Sequence, residues 1–178
     1  MPDWGGFYAK VYGGVTADDV LAIDGGGGDQ DFEILRGSMA GASIGLNTGI
    51  DGLSVEADAT WSSGEYAGGQ GYTLDTVTLM GNVVFEAPLA DTLGVYAGAG
   101  LGVVAVTYDF ITGEGTGKGA AGQVFAGADL SLTDELSVFG ELRYQAAFEN
   151  VPIIAVGFGS GDLEFARKAA VVGLKLSM

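Results

Sequence analysis

Between Leu53 and Trp61 the chain alternates strictly: Leu53, Val55, Ala57, Ala59 and Trp61 are apolar, and Ser54, Glu56, Asp58 and Thr60 between them are polar. An amphipathic helix repeats every 3.6 residues and cannot produce this pattern, whereas a strand with one apolar and one polar face must. Seven other segments carry the same signal. From about Gly6 to Val15, Phe7, Ala9 and Val11 oppose Tyr8, Lys10 and Tyr12. A weaker segment sets Ala40, Ala42, Ile44 and Leu46 against Gly41, Ser43, Gly45 and Asn47. Val77, Leu79, Val83 and Phe85 then oppose Thr76, Thr78, Asn82 and Glu86, and Val95 to Val103 alternate with Tyr96, Gly98, Gly100 and Gly102. Further on, Val124, Ala126, Ala128, Leu130 and Leu132 oppose Gln123, Phe125, Asp129 and Ser131. Val138, Leu142 and Tyr144 oppose Phe139, Glu141, Arg143 and Gln145. Last, Ala170, Val172, Leu174, Leu176 and Met178 oppose Val171, Gly173, Lys175 and Ser177. In every segment one face carries no charge.

The connections alternate in length. Tight reversals fall at Thr48–Gly52, Pro88–Thr92 and Thr133–Glu135, where Gly, Asp, Pro and Thr favour turns. Long connections fall near Thr16–Arg36, Ser62–Tyr72, Tyr108–Lys118 and Phe148–Leu163. Three short turns on one side and four long loops on the other predict an all-β fold, an eight-stranded antiparallel up-and-down transmembrane β-barrel with both chain ends on the short-turn side. No linker or composition shift divides residues 1–178, so a single domain is expected.

Composition narrows the picture. No stretch reaches the ~18 consecutive apolar residues that a spanning helix needs. The uncharged run Leu93–Val106 has Gly94, Gly98 and Gly102 at the spacing of packed membrane helices, but it is short and also fits a strand. The 33 Gly show no three-residue period, and those inside apolar alternating segments mark positions crowded by a neighbouring backbone or a large side chain. Cys and His are absent, so no disulfide supports the fold. The formal net charge of -16 excludes nucleic acid as a partner. Met1-Pro2-Asp3-Trp4 shows no basic start followed by an apolar run, and an export signal is expected to have been removed.

Aromatic residues collect where strands should meet the membrane surfaces: Trp4, Phe7 and Phe85 near the short turns, and Trp61, Tyr108, Tyr144 and Phe165 near the long connections. The opening Asp3-Trp4-Gly5-Gly6-Phe7-Tyr8-Ala9-Lys10-Val11-Tyr12-Gly13-Gly14 resembles outer-membrane β-barrel proteins related to opacity-type porins and to the transmembrane domain of outer-membrane protein A. Leu136 to Tyr144 resembles the penultimate strand of that family. The resemblance implies the bacterial outer membrane, with lipid and lipopolysaccharide as surroundings, a protein partner at the external loops, and a monomer. It also implies a terminal aromatic residue, where this chain has Met178.

If the apolar face meets lipid, the interior collects Lys10, Glu56, Asp58, Glu86, Asp129, Glu141, Arg143 and Lys175. Eight strands leave a lumen that side chains can fill, so these charges are expected to pair, with Arg143 opposite Glu56 or Glu141. Five acids face three bases, which leaves an acid to be protonated, bridged by water or placed near a mouth. The preferred reading is a structural or surface-interaction barrel with a closed polar core. A narrow porin and a soluble lipocalin-like binding protein, whose apolar face would turn inward, are the alternatives. Glu56 and Asp58 share a face, but the resemblance ties catalysis in this family to a His that the chain lacks, so no enzyme and no cofactor are expected. No metal centre is expected either. The acidic first loop, with Asp18, Asp19, Asp24, Asp29, Asp31 and Glu33 around Gly25–Gly28, offers carboxylates to a hard cation without the spacing of a calcium loop, the closest candidates being Asp24, Asp29, Asp31 and Glu33. Arg167 and Lys168 are placed to meet lipopolysaccharide phosphates.

Overall fold

The computed structural model describes residues 6–17, 20–24, 30–66, 73–110, 113–149, 151–155, 159–163 and 165–178. Among these residues lie eleven strands: β1 Phe7–Ala17, β2 Val20–Asp24, β3 Gln30–Asn47, β4 Leu53–Tyr66, β5 Thr73–Ala90, β6 Leu93–Phe110, β7 Gly113–Ser131, β8 Leu136–Ala147, β9 Val151–Ala155, β10 Gly159–Leu163 and β11 Ala166–Ser177. All pairings are antiparallel, and β1 joins both β11 and β3, so β1, β3, β4, β5, β6, β7, β8 and β11 close into an eight-stranded barrel.

The three remaining strands prolong barrel strands beyond interruptions. Thr16 faces Gly37 and Val20 faces Glu33, so β2 keeps the register of β1 against β3. The step from β8 to β9 holds two extra residues relative to both neighbours, since Ala121 faces Ala147 while Gly117 faces Ile153, and Ala166 faces Ala146 while Leu163 faces Val151. The two extra residues make that step a bulge. The long connections of the sequence reading are therefore largely strand: β2, β9 and β10 lie wholly within them, and β6 and β7 are separated by residues 111–112 alone. The apolar/polar alternation is lost there: β2 reads Val-Leu-Ala-Ile-Asp and β9 Val-Pro-Ile-Ile-Ala, without a period of two.

The tight reversals form as their residues dictate. Gly49 and Gly52 adopt φ of 81° and 72°, a region that residues with a Cβ rarely enter. Thr48 N–H donates to the Leu53 carbonyl at 3.0 Å, and Thr133 Oγ1 accepts from Leu136 N–H at 3.0 Å. Pro88–Thr92 is tighter than expected, because β5 continues to Ala90 through an irregular register.

The barrel is inside out relative to a soluble protein. Val55, Leu79 and Leu174 are outward and exposed, as are Leu101, Leu142 and Val172 at 68%, 70% and 68%. Glu56 and Glu141 are buried at 4% and 5%. A continuous apolar belt around a closed ladder, with no free strand edge, satisfies the backbone in hydrocarbon. Leu93–Val106 lies in β6, and the described residues contain no helix.

Register explains much of the glycine. Five times, a bare inward glycine lets side chains from its two neighbouring strands meet above it. Tyr8 crosses Gly45 to Glu56, Tyr12 crosses Gly41 to Thr60, and Tyr96 crosses Gly127 to Glu141. Gln123 and Asn82 bond over Gly100 at 2.7 Å, and the rings of Tyr12 and Phe139 meet edge to face over Gly173. A Cβ at Gly45 would overlap the Tyr8 ring, whereas one at Gly140 on the outer face meets nothing within 4 Å. Gly45→Ala is expected to lower the unfolding free energy by about 1–3 kcal/mol through overpacking, and Gly140→Ala to leave it unchanged, in urea titrations of vesicle-embedded protein.

Candidate functional site

Every strand of the closed ring sends alternate side chains into the interior, and the charged ones span it. Arg143 on β8 lies diametrically opposite β4 in the ring. Its Nη1 donates to Asp58 Oδ1 at 2.9 Å, Tyr12 Oη at 2.8 Å and Thr60 Oγ1 at 3.3 Å, and its Nε to Glu141 Oε1 at 2.8 Å. The guanidinium also stacks on Tyr12, 4.8 Å from its ring centre. A planar fork with five donors is suited to hold two carboxylates at once.

Two other cations cross the neighbouring diameter, from β11 to β5. Lys175 reaches Glu86 at 2.6 Å on the short-turn side, and Arg167 donates to Thr76 at 2.9 Å on the opposite side. Lys10 takes a shorter path to Glu56 at 2.7 Å, and its ammonium sits 5.0–5.5 Å from the ring centres of Tyr8, Tyr96 and Phe139. Glu56 also accepts from Asn82, and an amide chain continues through Gln123 and Gln145 to Thr78. Buried ion pairs of this kind tolerate burial only when their other lone pairs and protons are also satisfied.

All eight charged residues assigned to the interior are on the inner face. Lys10, Glu56, Asp58, Asp129, Glu141 and Arg143 are buried, while Glu86 and Lys175 stand at the mouth and are partly exposed. Arg143 pairs with Asp58 as well as Glu141, and Glu56 belongs to Lys10. Phe7, Phe85, Trp61 and Tyr144 point outward, with 55%, 57%, 48% and 42% of their surface exposed. Trp4 lies outside the described residues, and Tyr108 falls in β6, facing Leu74 and Gly115 in register.

Phe165 departs from the expected girdle. It is buried at 5% beneath the Arg167 guanidinium, 5.0 Å from its ring centre, because it shares the inward parity of Arg167, Ala169 and Val171. Arg167 is likewise inside and does not face lipopolysaccharide; of neighbours on one strand only one can point outward, and that is Lys168. Of the acidic segment, Asp24 lies in β2 and Asp31 and Glu33 in β3, while Asp29 lies outside the described residues. The sequence reading passed over Tyr96, Gln123 and Gln145 as site residues. Parity and the glycine opposite each aromatic were the signals that point to them.

The sequence matches the family model of the outer membrane protein beta-barrel domain over residues 2–175. The chain belongs to this family. As an outer-membrane β-barrel it resides in the bacterial outer membrane, with its apolar belt in lipid. Among solved structures it is similar to Neisserial surface protein A, with a TM-score of 0.65 and 12% identity over 96% of each chain. Outer membrane protein AlkL is similar at 0.63 and 15%, over 98% of this chain and 90% of that one. Ail, the attachment invasion locus protein of Yersinia pestis, solved with the heparin analogue sucrose octasulfate, is similar at 0.54 and 11%, over 98% and 99%. These identities carry the fold alone. Among curated proteins nothing matches the chain.

Proposed function

We propose that the protein is a structural and surface-contact barrel whose interior is closed to ions, with external strand extensions that meet a partner. The carrying observation is the Arg143 bridge, which ties opposite walls of the lumen together at mid-height, between the Lys175–Glu86 and Arg167–Thr76 crossings. An ion path would have to break charge-assisted hydrogen bonds at each of these levels, several of them at Arg143. A catalytic role has no support in Glu56 and Asp58: both oxygens of each are engaged, by Asn82, Tyr8 and Lys10 in one and by Arg143, Thr60 and Tyr12 in the other.

The outer end carries six acids and one base between residues 18 and 36, which would repel a polyanion such as the sulfated ligand bound to Ail. A neutral or cationic partner therefore fits better, and the protein acts as a monomer. Planar-bilayer recordings test closure. Wild-type protein is expected to give no conductance steps, and reproducible steps at neutral pH would favour the narrow-porin reading instead.

A further inference from the structure

Beside the five crossings in which side chains meet over a bare glycine, Gly94 lies beneath a carboxylate that meets no donor across it. Asp129 on β7 faces Gly94 on β6, and a Cβ at Gly94 would meet the Asp129 carboxylate 2.6 Å from Oδ1. The residue beyond Gly94, on β5, is Pro88, which has no donor to offer. Asp129 is 95% buried, being 5% exposed, and its Oδ1 has no hydrogen-bond partner. Lys175, which lines the same mouth, is engaged by Glu86 at 2.6 Å.

This carboxylate borders an open vestibule of about 950 Å³ on the short-turn side, lined also by Pro88, Asp51, Asp91 and Ser131. Each of the three turns carries acid, with Asp51, Asp91, and Asp134 beside Glu135, so the field at the entrance is negative. At the end of such a funnel, Asp129 Oδ1 is buried without a hydrogen-bond donor, which an ammonium entering from outside would supply.

We propose that the short-turn mouth is a binding site for a primary alkylammonium group, with Asp129 as its counter-ion and the space beside Pro88 as its seat. An ammonium has three donors and needs one carboxylate with a few acceptor oxygens, such as the Ser131 hydroxyl in the same wall. A divalent metal fits less well, because no group of three metal-ligating side chains converges among the described residues. The vestibule has room for a chain bearing the amine, which comes either from a free diamine or from a lysine side chain of a periplasmic polypeptide. The site is independent of whether the lumen conducts.

The test is calorimetric titration of the full chain, refolded in micelles and checked for folding by gel mobility before and after boiling. Putrescine and an end-blocked lysine are the probes, and magnesium chloride at matched ionic strength is the comparison. One-site binding of an amine is expected, weakened at least ~10-fold in the isosteric Asp129→Asn, since a charge-assisted pair is lost. Whichever amine binds more tightly identifies the source. Pro88→Lys, which supplies an ammonium from β5 across Gly94, should abolish amine binding while the protein still folds. Equal binding by wild type and Asp129→Asn overturns the proposal, as does tighter binding of Mg²⁺ than of either amine, or undiminished binding by folded Pro88→Lys.

Discussion

Arg143→Ala is expected to lower the free energy of unfolding by about 3–5 kcal/mol, the range found when one partner of a buried ion pair is removed. The loss is large because two carboxylates depend on this one side chain. Asp58 and Glu141 are each buried to within a few per cent, and their links to Arg143 are 2.9 and 2.8 Å. Without the guanidinium the barrel would hold two uncompensated charges at its centre, facing Tyr12 and Tyr96. The triple variant Arg143→Leu, Asp58→Asn, Glu141→Gln removes charge and counter-charge together and should recover much of the loss, since an apolar or neutral replacement of an entire buried network is often close to neutral. Urea titrations in lipid vesicles measure both. A single variant within 1 kcal/mol of wild type would mean that the network is not what holds the lumen closed.

Ala57→Arg acts on the outer face of β4, the strand that carries Asp58. Ala57 faces lipid midway between Leu53, which is paired with Phe85, and Trp61, and a charge there should cost about 2–4 kcal/mol of barrel stability. Leu53→Arg, close to the short-turn interface, should cost about 0–1 kcal/mol by the same depth rule. Parity alone would make an inward arginine at Thr60 the milder change. The structure reverses that expectation: Thr60 is 2% exposed and bonds Tyr12, Arg143 and Asp58, so an arginine there meets a filled space and a like charge. The two substitutions then differ in mechanism, and only the Ala57 series should depend on position along the bilayer normal.

Much of the architecture was legible because lipid imposes a strict rule on a strand that crosses it. Alternate residues must be apolar, so inside and outside could be assigned at Leu53–Trp61 or Leu174–Met178 without coordinates. The turns were legible at Thr48–Gly52 because two glycines sit where positive φ is required. Phe165 was misplaced because its location near a membrane surface was weighed above its parity, which it shares with the buried Arg167 and Ala169. The bounds of β2, β9 and β10 were not legible, since Val20–Asp24, Val151–Ala155 and Gly159–Leu163 carry no period of two.

The amino-acid order by itself determined the number of crossings, the faces of each strand and the enclosed charges other than Arg167, because each follows from residues close together in the chain. Only the closed tertiary structure decided which charge meets which. Arg143 finds Asp58 because closing the ring sets β8 opposite β4, and Tyr8 finds Glu56 because register puts a bare Gly45 between them. Such partners lie far apart in sequence, 85 residues for Arg143 and Asp58, and their encounter depends on stagger and ring closure, which no local pattern encodes.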